Sequence, residues 1–181
     1  MNWNRYIPLC AGVLAAFSAC TTTRSGNVSY DPASSTTIVT GKQTTVAPLK
    51  GPVETTFLKA EISPGQTNLY LVVLYLSVEG TLAAEEVTDS AGKKLPGLRG
   101  QDETVPVQFG QVTKEIYYIP LTRSYLEARA HSGITVRLTG PKDTLTATQA
   151  PALISGFLAD LDATKSKLGR QAPAKKPAST R

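Results

Sequence analysis

Leu69-Tyr70-Leu71-Val72-Val73-Leu74-Tyr75-Leu76 is apolar at every one of its eight positions. Its β-branched and aromatic content, between Pro64-Gly65 and Gly80, points to a central strand buried on both faces. On its N-terminal side, Thr56, Leu58, Ala60 and Ile62 alternate with Phe57, Lys59 and Glu61, and Pro64-Gly65 ends that run in a turn. On its C-terminal side, Glu85 to Leu95 reads as a hairpin turning at Asp89-Ser90-Ala91-Gly92, with Gly92 free to take a positive φ. Val105, Val107 and Phe109 surround Pro106, which has no N–H to donate and so marks an edge strand. Val112 to Leu121 forms a longer strand ended by Pro120, and Ile134 to Thr139 and Thr144 to Thr148 make a closing pair around Gly140-Pro141-Lys142-Asp143.

Two helices interrupt the strands. Ser124 to Glu127 has capping-box spacing, and Gly133 stands where a left-handed cap ends a short helix. Pro151 begins the second helix, and Leu153, Ile154, Phe157, Leu158 and Leu161 follow as a stripe at the helical period. The expected fold is therefore mainly β, an antiparallel sandwich or barrel-like sheet with the short helix and the C-terminal helix packed on it. Long helices do not alternate with the strands, which speaks against a doubly wound sheet.

Thr21 to Pro52 is rich in Thr, Ser, Gly and Pro and reads as a tether, with a short strand possible at Thr36 to Thr40. From Val53 to Thr164 there are nine bases and thirteen acids, a net of −4. From Lys165 onward come Lys165, Lys167, Arg170, Lys175, Lys176 and Arg181 with no acid. A basic extension on an acidic body suits an anionic partner and argues against a nucleic-acid-binding fold.

The start of the chain sets the address. Arg5 precedes an apolar run from Ile7 to Phe17, too short for a bilayer span of about 20 residues. The small pair Ser18-Ala19 directly before Cys20 resembles the lipobox of bacterial lipoproteins, with Phe17 where leucine is usual. The resemblance covers residues 1–20 only. It implies cleavage before Cys20 and a diacylglycerol (with palmitate-type acyl chains) on its sulfur. Thr21, rather than an aspartate, after the cysteine implies transfer to the outer membrane, facing the periplasm, with surface exposure as the alternative. Since Cys10 leaves with the leader, the mature chain has no cysteine pair for a disulfide. The expected layout is a signal peptide over 1–19, a lipidated tether over 20–52, a β-rich domain over 53–168 and a disordered basic tail over 169–181.

No residue set points to catalysis. His131 is the single histidine, at a helix end where a cation complements the carbonyl dipoles, and no second histidine or free cysteine exists to share a metal. Ser155 lies inside the helical pattern rather than at a strand-to-helix elbow. Neighbours on a strand point to opposite faces, so Glu85 and Glu86 cannot enter one site; Asp102-Glu103 sits in a loop with few further oxygen ligands. Tyr70, Tyr75, Tyr117 and Tyr118 line either a groove or, more commonly, a packed sheet. The chain reads as a non-catalytic envelope lipoprotein of structural, assembly or protein-interaction role, without cofactor or metal. Its partners are the membrane through the lipid and an anionic envelope polymer or protein through the basic tail. The alternative is a carrier of a lipid or other small molecule with a cavity between sheets.

Overall fold

The computed structural model describes residues 20–24, 26–48, 51–107 and 110–171. The run Leu69 to Leu76 is the heart of β6 (Gln66–Ser77), which pairs over Gln66–Leu76 with β5 (Val53–Ser63) and over Leu69–Ser77 with β10 (Gly110–Leu121). Pro64-Gly65 makes the β5–β6 turn, and Gly65 takes φ 81°, where a Cβ would be strained. Both sheets are antiparallel throughout, one of nine strands and one of three, and neither is closed into a barrel among the described residues.

The stretch expected as a tether is instead built into the larger sheet, which corrects the reading of 20–52. β1 (Cys20–Arg24), β2 (Asn27–Asp31), β3 (Thr36–Thr40) and β4 (Gln43–Ala47) pair as one long hairpin, β1–β4 and β2–β3 sharing a common register. That register runs from Cys20↔Ala47 to Asp31↔Thr36. β3 and β4 then lie end to end along β5. Their pairing shifts by one residue between Thr40↔Lys59 and Thr44↔Thr56, which places a bulge opposite Phe57. The threonines counted as solvated tether supply β propensity here. Val39 is fully buried, and Thr45 and Thr55 hydroxyls bond across the strands at 2.8 Å. Composition pointed to a coil because the bulky residues, Val28, Tyr30, Ile38, Val39, Val46 and Leu49, are few and scattered; the edge of an existing sheet provides the rest of the burial.

The opposite edge of this sheet is split in the same manner. β8 (Leu98–Arg99) and β9 (Glu103–Val107) share β10, with Pro106 on the outermost strand as its missing N–H requires. Pro120 does not end β10. It pairs with Tyr70 beyond the point where β8 stops, so its missing donor faces no strand. Phe109 lies outside the described residues.

β7 (Glu86–Asp89), β11 (Ile134–Thr139) and β12 (Thr144–Gln149) make the second sheet. The expected 85–95 hairpin is reduced to a Thr88–Lys94 bridge, because β11 is the main partner of β7. Its turn holds as expected, with Gly92 at φ 78° and its N–H donating to the Asp89 carbonyl at 3.0 Å. α1 (Arg123–Arg129) is capped by Thr122 rather than Ser124, the Thr122 hydroxyl accepting from the Tyr125 N–H at 3.1 Å. Glu127 is drawn to Arg123 at 2.7 Å, and Gly133 closes the helix end at φ 82°.

One core joins these parts. Leu58, Leu71, Val73, Tyr117 and Ile119 face inward from the large sheet; Val87, Val136 and Leu138 face them from the small one. α2 (Pro151–Gln171) adds Ile154, Phe157 and Leu161, the stripe read from the sequence. Phe157 lies against Gly41, where an added Cβ would come within 3.2 Å of its ring. The helix runs three residues past the expected boundary at 168, and residues 172–181 of the tail lie outside the described ones.

The expectation that β6 is buried on both faces holds only in part. Leu69, Leu71, Val73 and Tyr75 enter the core, while Tyr70, Leu74 and Leu76 on the other face are half-buried. Val72 is closed off on that face between its neighbours Phe57 and Tyr118. Tyr70 meets Tyr118 edge to face at 5.9 Å, and the Lys59 ammonium sits 5.3 Å from the Tyr118 ring.

Candidate functional site

The geometry of the large sheet separates two points that the sequence singled out. The backbone of Cys20 begins β1 beside Ala47, at one end of the sheet. The hairpin turn between Asp31 and Thr36 lies at the other end, where Leu168 of α2 lines one cleft with Tyr30, Ile62 and Pro64. The twelve residues from Cys20 to Asp31 cover about 36–40 Å at strand rise. The basic segment therefore leaves the domain far from Cys20. The leader over 1–19 lies outside the described residues.

At the Leu168 end two clefts lie in line between α2 and the hairpin. The first, about 250 Å³, is walled by Val28 and Val39 on the strands and by Asp160, Thr164 and Lys167 on the helix. The second, about 320 Å³, is walled by Tyr30, Thr37 and Ile62 on the strands and by Pro64 and Leu168. Val28 and Tyr30 point to the same face, two residues apart, and are 55% and 62% exposed. Asp31 is not free for a ligand. Its carboxylate accepts from the Ser34 hydroxyl at 2.7 Å and the Ala33 N–H at 3.0 Å, bonds that hold its pKa below the usual range.

A second cluster lies inside the protein and was missed by sequence reasoning. Glu115 is wholly buried on β10. Its Oε2 accepts from the Leu82 N–H at 2.5 Å, and its Oε1 accepts from the Ala83 N–H, the Tyr117 hydroxyl and Arg99 Nη2. Arg99 also grips Asp102 in a two-point pair at 3.1 and 2.6 Å, and Tyr117 accepts the Ala84 N–H at 2.9 Å. Burial pushes the Tyr117 phenol up to about 12, so it stays protonated and donates. Three consecutive N–H groups of the 78–85 crossover thus end on one carboxylate–phenol pair, with Ala83 held at φ 47°. The available signal was that Glu115 shares the core phase of Tyr117 and Ile119. A cleft of about 180 Å³ opens beside Tyr117 and Arg99, but Arg99 is already shared by two carboxylates.

The remaining candidates are not brought together. His131 lies in the exposed turn after α1, and Ser155 donates to the Ala130 carbonyl at 3.4 Å. Glu86 pairs with Lys94 at 3.0 Å, and Glu103 pairs with Lys114 at 2.9 Å. Among the described residues no three of His, Cys, Asp and Glu gather as a metal cage, and no helix is long and apolar enough to cross a membrane. Leu58, Leu71, Tyr117, Val136 and Phe157 occupy the space between the sheets and α2, while the clefts lie at the margins. No known family, curated protein or solved structure matches this chain.

Proposed function

We propose that this is a lipid-anchored, non-catalytic protein of the bacterial envelope, joined through Cys20 to the periplasmic face of the outer membrane. In this role it is a rigid spacer that presents its basic C-terminal segment to an anionic envelope partner. The observation that carries the reading is the placing of Cys20 and the end of α2 at opposite ends of one sheet. A lipid on the first residue of β1 sets the domain directly on the headgroups, and the sheet itself supplies the stand-off that a coil was expected to provide. Six bases without an acid then begin at Lys165, on the far side from the bilayer. In architecture we read the domain as an open sandwich, the small sheet and α2 together covering one face of the large sheet.

The test has two arms. Metabolic labelling with a radioactive fatty acid is expected to mark the wild-type protein and not Cys20→Ser, and equal labelling of both removes the anchor. Deletion of residues 172–181 is expected to leave the melting temperature unchanged and to lower the salt needed to release the protein from isolated envelopes. Identical release across a salt series removes the tail from the mechanism.

A further inference from the structure

The margins of both sheets differ in how they are protected. β9 carries Pro106 and the charged Glu103, and β8 is two residues long. The outer side of β7 is covered by the segment 93–95, with the Leu95 N–H donating to the Val87 carbonyl at 2.9 Å. β12 rests on the large sheet, where the Thr148 carbonyl accepts the Thr56 hydroxyl at 3.1 Å. β2 is less protected, its one charge, Asp31, being taken up by the Ser34 hydroxyl and the Ala33 N–H. Its sequence, Asn27-Val28-Ser29-Tyr30-Asp31, contains no proline and no lysine, and among the described residues β3 is its sole partner.

This bare edge coincides with the two clefts. Their strand walls are Val28 and Tyr30, spaced by the two-residue period at which a strand repeats its side chains. A strand laid beside β2 would send alternate side chains toward both clefts while its backbone takes up the free N–H and C=O groups. The cleft beside Tyr30, Ile62, Pro64 and Leu168 suits a large apolar side chain. The other is rimmed by Lys167, and after Asp162 the helix carries Lys165, Lys167 and Arg170 without an acid. Asp160 lies two helical turns earlier, at the far rim.

We propose that β2 is the docking edge for an extended, acidic segment of a partner protein, which adds to the large sheet as a further strand. The segment is apolar at alternate positions, and its acids meet Lys167 and the last turn of α2. A polypeptide is favoured over a polysaccharide because the spacing of backbone donors and acceptors along β2 matches only another peptide backbone. This rests on the reading of a basic distal end that meets an anionic partner, and names how that partner is held.

The test selects a random dodecapeptide display library on the lipidated full-length protein in detergent micelles, then synthesises the enriched sequences. Enrichment of peptides with alternating apolar residues and acidic flanks is expected, and their binding is expected to protect the Asn27–Asp31 amides from hydrogen exchange. Tyr30→Ala and Lys167→Glu are each expected to weaken binding by about tenfold or more, as is Val28→Pro, which removes an outward-facing backbone donor from the edge. Circular dichroism melts verify each fold; if Val28→Pro does not fold, Tyr30→Ala and the exchange data decide. Deleting residues 172–181 should change peptide affinity by no more than about twofold, so a failed tail experiment and a failed edge experiment remain distinguishable. No enrichment, or equal binding to Tyr30→Ala with no protection of β2, overturns the proposal. So does binding of polygalacturonate, an acidic glycan, that displaces the selected peptides from β2.

Discussion

Replacing Arg99 by methionine isolates the buried charge on Glu115. The aliphatic stem of Arg99 is kept, while the guanidinium that reaches Glu115 at 2.5 Å is lost. Glu115 has no exposed surface, so its carboxylate would then depend on the Leu82 and Ala83 N–H groups and the Tyr117 hydroxyl alone. Removing one partner of a buried pair costs about 3–5 kcal/mol, since the other charge stays out of water. Against a total stability of about 5–15 kcal/mol this is a large fraction. The assay is urea unfolding followed by circular dichroism, with the midpoint expected to fall while the slope stays constant. Lys94→Met is the control. Its pair with Glu86 is open to solvent, so a change within about 0.5 kcal/mol is expected. A loss below about 1 kcal/mol for Arg99→Met would mean that water reaches Glu115, and the argument that its carboxylate pins the 78–85 crossover would fall.

Two further outcomes follow from burial. Desolvation raises the half-buried Glu54 from 4.5 to about 7, so the folded protein holds a proton that the unfolded chain releases. Its contribution is fully present below about pH 4.5 and is lost as pH rises through about 7; with screening it amounts to on the order of 1–2 kcal/mol. Urea midpoints should therefore decline over that window, and Glu54→Gln should flatten the decline; an unchanged pH profile in the variant refutes the assignment. Phe157→Ala should cost about 3–5 kcal/mol, because the ring is buried against Gly41. A loss near 1 kcal/mol would indicate that α2 is not part of the core.

Where one residue type served one physical purpose, the sequence was readable. The α2 stripe, the Pro106 edge, and the turns at Pro64-Gly65 and Gly92 each reflect a steric or periodic rule that tolerates few exceptions. Apart from the strand at Thr36–Thr40, the hairpin over 20–47 was hidden because its threonines and serines suit a solvated coil and an edge strand equally. What decides between them is β5, a neighbour that local composition does not report. Tyr70, Leu74 and Leu76 misled in the opposite sense, since aromatic and aliphatic side chains that shield one another laterally look like residues beneath a second layer. Glu115 was legible in phase but not in partners, because Arg99 and the 82–84 backbone reach it through the tertiary fold. The clefts beside β2 depend on how α2 crosses the hairpin, and no short-range pattern encodes that crossing.

The contact of Phe157 with Gly41 also bears on the order in which the chain can fold. The two residues are separated by most of the chain, and the helix that joins them follows every strand. Hairpins such as β5–β6 can close as soon as they are made, but the inner face of β3 and β5 stays wet until α2 arrives. Closing so distant a pair is slow relative to local pairing. While synthesis continues, the incomplete chain therefore keeps this inner face open. Completion of the core is timed by α2, so the fold locks only after that helix has been made.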